Sequence, residues 1–237
     1  MSARAPTSAD GPRRILVINP NTNPLVTERV RAMADRCEIP GVALEVINPA
    51  AGPFSIESEL DKRQAEAEVL KLIGASAHLG YDAYVLACFD DLALQAARQM
   101  LAVPVIGCCQ AGIEAAHAVS PALAIVTTVG AAVPGIDRMM RRYGAGERAT
   151  VRAAGIGVHD AARAQPQTQA RLRQTIEQAI AEDGAEVILL ASGGLTGQAE
   201  RIGAEAGVPV IDAVEAALRQ AVRVCGARSA PVQTADA

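Results

Sequence analysis

Tryptophan is absent from this chain of 237 residues, and only two phenylalanines and three tyrosines accompany it. Proteins that hold nucleic acid stack bases on aromatic rings and follow the phosphates with basic runs. Here aromatics are scarce, no basic run occurs and the formal charge is −4, so nucleic acid is not expected as the main partner. Histidine is sparse too. His78, His117 and His159 stand at no ligand spacing from any cysteine, and Cys108 and Cys109 are adjacent, without the spacer that zinc sites need; no metal site is expected. No glycine-rich phosphate or dinucleotide loop occurs in its full pattern, which leaves no nucleotide cofactor to expect. Apolar runs such as Val187 to Ala191 fall far short of the ~20 residues that cross a bilayer. The arginines near the N-terminus precede no apolar stretch of the secretory kind, so a cytoplasmic protein with no membrane partner is expected. Five cysteines, an odd number without scaffold spacing, fit thiols that are kept reduced.

What is present is apolar: 50% of the residues are hydrophobic, enough for one large core or two small ones. Residues 1–12 and 227–237 are rich in Pro, Ser, Gly and Asp without periodicity and are expected to be flexible tails. Between them, short β-branched runs alternate with Ala-rich helical stretches, the pattern of parallel sheets covered by helices. Strands are expected at Arg14 to Asn19, Val42 to Ile47, Ala83 to Ala87, Val105 to Gly107, Ala122 to Thr127, Thr150 to Ile156, Val187 to Ala191 and Val210 to Ile211.

The chain also repeats itself. DAYVLACFDDLAL (82–94) parallels AEVILLASGGLTG (185–197), and LAVPVIGCCQAGIEAA (101–116) parallels AGVPVIDAVEAALRQA (206–221). RRILVINPNT (13–22) has a weaker partner in PALAIVTTVG (121–130). Three matches in one order predict an α/β fold of two similar half-domains, each a mainly parallel sheet flanked by helices, related by a pseudo-two-fold axis. One half comprises 13–119 and 212–226, the other 120–211. Facing each other, the halves would bring four strand-end turns into one cleft: Asn19 to Thr22, Cys88 to Asp91, Thr127 to Gly130 and Ser192 to Thr196. Open α/β sheets place their ligands at such carboxyl ends.

Within those turns, Cys88 follows a buried strand and precedes a helix. A thiol at a helix N-terminus is biased towards the reactive thiolate, which Asp90 and Asp91 would oppose unless one of them caps that helix. Taken by itself, a strand-end cysteine is more often a small buried apolar residue than a catalyst. Ser192 holds the repeat-equivalent position, followed by Gly193 and Gly194, whose bare backbone lets N–H groups approach an anion. A serine-hydrolase elbow needs glycine two residues earlier, where Leu190 stands. Asn19, Asn21, Thr127 and Thr128 offer neutral donors and acceptors, or simply turn chemistry. His159 beside Asp160 reads as a surface loop residue or an acid–base helper.

In order and spacing, ILVINPNT, FSIE (54–57), VLACFDD, PVIGCCQA, IVTT, AEDGAEVILLASGG and GVPVID resemble the hydantoin racemases, over about residues 14 to 225. The resemblance implies the two-half fold of the aspartate/glutamate racemase superfamily. It also implies a homo-oligomer acting without cofactor on a small cyclic ureide, a 5-substituted hydantoin or allantoin. In that family two cysteines face the substrate, one removing a proton and the other returning one. Cys88 matches the first, and the second position carries Ser192. Asn19, Asn21, Phe89, Thr127, Thr128, Gly193 and Gly194 would bind substrate, with the backbone N–H groups of Phe89 and Gly193 on the developing enolate. Three readings follow: a racemase with an altered partner at Ser192, a one-cysteine decarboxylase or one-face proton-transfer enzyme, and a ligand-binding scaffold with impaired catalysis.

Overall fold

The computed structural model describes residues 11–227. The tails expected at 1–12 and 227–237 lie outside that range except for Gly11 and Pro12, which form no regular element, and Ala227, which closes the last helix. Strands and helices alternate, with one pair of successive helices in the second half: β1 (Arg13–Ile18), α1 (Pro24–Cys37), β2 (Val42–Ile47), α2 (Glu59–Ser76), β3 (Ala83–Leu86), α3 (Leu94–Met100), β4 (Val105–Gly107) and α4 (Cys108–His117). The series then repeats as β5 (Leu123–Thr127), α5 (Val133–Arg142), β6 (Thr150–Ala153), α6 (Val158–Arg163), α7 (Pro166–Asp183), β7 (Val187–Leu190), α8 (Ala199–Ala206), β8 (Val210–Asp212) and α9 (Ala213–Ala227).

Two four-stranded sheets result, ordered β2-β1-β3-β4 and β6-β5-β7-β8, with every pairing parallel. The same strand order in both matches the repeat in the sequence. Strand order reverses between β1 and β3 in one sheet and between β5 and β7 in the other, so each half opens a crevice at those carboxyl ends.

Side-chain alternation along each buried strand divides the core. Ile15, Val17, Ala83, Val85, Leu123, Ile125, Val187 and Leu189 face a shared interior with α9 and α4. Leu16, Ile18, Tyr84 and Leu86 face a separate cluster with α2 and α3. Ala124, Val126, Ile188 and Leu190 do the same with α7 and α8. A strand that buries both faces cannot alternate apolar with polar residues, which explains the continuous apolar runs. Gly112 in α4 brings the halves close: a Cβ there would meet Leu189 Cδ1 at 2.9 Å. α9 returns to pack on α1, α4 and strands of the first sheet.

Strand β6 ends sooner than expected, at Ala153 rather than Ile156. Gly155 adopts φ +65° and breaks the extended backbone, although Ala154 and Ile156 still donate to the carbonyls of Thr127 and Thr128 at 2.9 and 3.0 Å. No helix among the described residues is long and apolar enough to cross a membrane. No group of three or more His, Cys, Asp or Glu among them could hold a metal ion.

Candidate active site

One cleft collects the carboxyl ends of β1, β3, β5 and β7. It encloses about 490 Å³ of atom-free space, part of it open to solvent. Its lining includes Asn21, Cys88, Phe89, Thr127, Thr128, Ser192 and Gly193, with Ile56, Ala132, Ile136 and Val158 forming apolar wall. Cys88 and Ser192 therefore share one hollow, at equivalent positions of the two halves.

Asn19 and Gly194 do not reach that lining. Asn19 is fully buried, and its Nδ2 donates to Asn21 Oδ1 at 3.2 Å and Thr27 Oγ1 at 2.9 Å, which makes it scaffold behind Asn21. Asn21 Oδ1 also accepts from Asn23 N at 3.0 Å, whereas its Nδ2 has no partner among the described residues. Gly194 is small for packing: a Cβ there would lie 2.3 Å from the Val158 carbonyl oxygen on α6. The expectation of an anion cradle therefore narrows to Gly193, which does line the cleft.

Ser192 is held on two sides. Thr128 Oγ1 donates to its Oγ at 3.2 Å and Gly194 N donates at 3.4 Å. Thr127 Oγ1 donates to the Ala191 carbonyl at 3.1 Å, linking β5 to β7 below the cleft.

Cys88 is partly exposed, while the other four cysteines are buried. It does not sit at a helix N-terminus. The turn continues for five further residues before α3 begins at Leu94, and Asp91 and Ala93 in that turn have φ of 47° and 62°. Left-handed backbone at residues other than glycine costs about 1–3 kcal/mol and concentrates at functional turns. Neither aspartate caps α3, whose N-cap is Ala93 without a side-chain bond. Asp90 instead pairs with Lys62 Nζ at 2.6 Å, and the Asp91 carboxylate crosses to α4 to accept from Cys109 N at 2.9 Å and Gln110 N at 3.3 Å.

Electrostatically the turn disfavours a thiolate. Desolvation deep in the cleft pushes the Cys88 thiol well above its ordinary range, and the charges of Asp90 and Asp91 push the same way. A backbone hydrogen bond from Asp90 and the Lys62 ammonium pull back. The opposition expected from Asp90 and Asp91 is thus joined by burial, and the help expected from a helix N-terminus is missing.

Two contacts near the mouth join residues that the sequence marked separately, and His159 stands in the first turn of α6, not in a loop. Glu57 Oε1 accepts from Val158 N at 2.9 Å, tying the loop after β2 to the first turn of α6. Next to that tie, the rings of Phe54 and His159 lie 5.3 Å apart, and His159 Nδ1 is 3.1 Å from Asn23 Nδ2. The FSIE stretch carried the first half of this bridge. Lys62 left only a compositional trace, as one of two lysines among 22 basic residues.

Residues 15–221 match the Asp/Glu/hydantoin racemase family model. A hydantoin racemase of Rhizobium meliloti is 38% identical over 215 residues, covering 90% of this chain and 89% of that protein. One from Paenarthrobacter aurescens is 36% identical over 213 residues, covering 88% and 89%. Among solved structures, an allantoin racemase from Klebsiella pneumoniae superposes with a TM-score of 0.87 at 32% identity, covering 94% of this chain and 91% of that one. A family match across nearly all the described residues, relatives of this identity and the same two-sheet architecture agree: the chain belongs to the Asp/Glu/hydantoin racemase family and is an isomerase of the racemase type.

Proposed function

We propose that the protein racemises or epimerises a five-membered cyclic ureide, a 5-substituted hydantoin or allantoin, with Cys88 moving the proton on one face of the activated carbon. The observation that carries this reading is the meeting of Cys88 and Ser192 in one cleft at equivalent strand ends of a racemase fold. Asn21, Thr127 and Thr128 supply polar contacts for a ring that has carbonyls and N–H groups, and the apolar wall suits a ring substituent.

Chemically, the Cys88 thiol must ionise before it can take a proton from carbon. Departure of the charge into an enolate is then favoured, because burial opposes the thiolate more than the neutral thiol. The backbone N–H groups of Phe89 and Gly193 are assigned to the enolate oxygen, where fixed donors act on developing charge. On the opposite face stands a hydroxyl. A serine needs an adjacent base to exchange protons readily, and its hydrogen-bonding neighbour is Thr128, which is no base. Exchange at the Cys88 face should outrun inversion.

That asymmetry also supports a second reading, one-face protonation of an enolate by a single cysteine after loss of carbon dioxide. Both are tested by incubating each enantiomer of a 5-substituted hydantoin, and of allantoin, in D₂O, with a disubstituted malonate assayed separately. Deuterium incorporation with inversion supports the racemase. Exchange of one enantiomer with retention and no inversion even on long incubation, or decarboxylation of the malonate, selects one-face chemistry. A protein that exchanges neither enantiomer and decarboxylates nothing is not an enzyme of this class.

A further inference from the structure

Comparing the two halves of the molecule reveals one device mounted in two ways. In the second half, Asp212 ends β8 and is the residue before α9. Its Oδ1 accepts from Val214 N at 2.9 Å and Glu215 N at 3.2 Å, the second and third residues of the helix. Its Oδ2 accepts from Gly197 N at 2.7 Å. One carboxylate thus caps α9 and ties it to the turn that carries Ser192.

The equivalent position in the first half is Gly107, since VIG (105–107) aligns with VID (210–212). It has no side chain to offer. The second and third N–H groups of α4, on Cys109 and Gln110, are nevertheless met by a carboxylate, that of Asp91. Asp91 belongs to the turn that carries Cys88, so here the tie runs from turn to helix instead of from strand end to both. The two arrangements exclude each other. A Cβ on Gly107 would collide with Asp91 Oδ1 and Cγ, and would also stand 2.7 Å from Leu94 Cδ2 at the start of α3. The space left by the absent side chain at 107 is filled by the Asp91 carboxylate together with the tip of Leu94. Tyr143, the residue after α5, brings its side chain near the same carboxylate.

We infer that Asp91 is a positioning residue for Cys88: its carboxylate clamps the strained turn 88–93 to the N-terminus of α4 across the gap left by Gly107, and so fixes where the thiol meets substrate. The inference rests on the assignment of Cys88 as the proton-carrying group. Both halves tie the turn after their third strand to the helix after their fourth, by carboxylates that sit on opposite sides of the gap. The tie is therefore what the two halves share, while the residue that makes it differs. Asp91 is itself left-handed, at φ 47°, a conformation the turn would relax if the carboxylate let go.

A helix cap and a clamp can be separated experimentally. Asp91→Ala removes both. Asp91→Ala combined with Gly107→Ser returns a capping oxygen to the N-cap position of α4, where serine serves well, but a serine there is too short to hold the turn. Asp91→Asn keeps an acceptor oxygen on the turn. Three readouts apply: kcat and KM for deuterium exchange, the rate of Cys88 alkylation by iodoacetamide followed by peptide mass, and the thermal midpoint. Loss of the clamp is expected to lower kcat at least about tenfold with KM changed by less than about threefold, because small misplacement of a reacting group is costly. The double variant should regain part of the midpoint lost in Asp91→Ala, the new Cβ still crowding buried Leu94, without recovering kcat or the alkylation rate, and Asp91→Asn should keep most of the kcat.

Recovery of kcat and alkylation rate along with the midpoint in the double variant would reduce Asp91 to a helix cap and overturn the inference. So would equal losses of kcat in Asp91→Asn and Asp91→Ala. If the wild type exchanges no substrate, the functional assignment fails, but alkylation and melting still decide the clamp: a partly restored midpoint with an altered Cys88 alkylation rate supports it, and restoration of both refutes it.

Discussion

Lys62 Nζ lies 2.6 Å from Asp90 Oδ1, joining α2 to the residue two places beyond Cys88. The ammonium also reaches Glu59 at 3.3 Å, and α5 covers it closely enough that a Cβ on Gly135 would be 3.2 Å from the nitrogen. An aspartate close to the partly exposed thiol is thereby given a counter-charge.

This pairing sets the pH response. Burial, then Asp90, then Asp91 hold the Cys88 thiol high, so turnover that needs the thiolate rises with pH. Asp90→Asn should move the rising limb of kcat/KM to lower pH by about one unit, and Lys62→Met should move it to higher pH by a similar amount. Profiles measured in both variants check this. A limb that stays in place in Asp90→Asn means that the carboxylate does not govern the thiol.

At Ser192, Ser192→Cys places a tunable thiol where the hydroxyl now accepts from Thr128. Inversion should rise by about 10²- to 10⁴-fold, the usual contribution of a positioned acid or base, and Cys88→Ser should lower exchange by a comparable factor. Chiral chromatography of the ureide over time gives both numbers. No gain from the added thiol would argue against a two-face ancestry of the site.

Gly194 predicts a stability effect with a functional echo. Gly194→Ala forces a methyl within 2.3 Å of the Val158 carbonyl, a backbone atom that cannot swing aside. Overpacking of this kind costs about 1–3 kcal/mol, which corresponds to a melting decrease of roughly 2–12 °C for a protein of this size. Because Val158 also lines the cleft, KM should rise. Thermal denaturation that matches the wild type would show that α6 yields freely.

Asp212 predicts how stability varies with pH. Burial raises its carboxyl to about 6, more than its hydrogen bonds from Gly197, Glu215 and Val214 lower it. The folded state therefore holds a proton that the unfolded chain releases nearer the usual carboxylate value of about 4. The resulting stabilisation is complete below about pH 4 and is lost as pH rises through about 6, on the order of 2–3 kcal/mol. Asp212→Asn should flatten the fall in stability between those limits, and urea melts at a series of pH values measure it. An unchanged slope would place the proton elsewhere.

Much of the architecture was legible before any coordinates. Eight apolar runs became eight strands, because a parallel strand buried on both faces must be apolar along its length and needs little else. The internal repeat carried further, since equal order of elements in two halves implies equal strand order and so a shared cleft at their carboxyl ends. For the same reason a common cleft for the turns of Cys88 and Ser192 could be expected from their positions in the repeat, and both residues line one.

The environment of those residues was not legible in the same way. Asp90 and Asp91 read as a local cap for the following helix, yet one answers Lys62, 28 positions earlier, and the other caps a helix that starts 17 positions later. Asn19 and Gly194 read as ligand contacts and serve packing instead. Strand formation depends on neighbours along the chain, which the order of residues records. Ionisation, capping across a gap and the walls of a cleft depend on distances between groups remote in sequence, and those exist only once the two sheets are packed together.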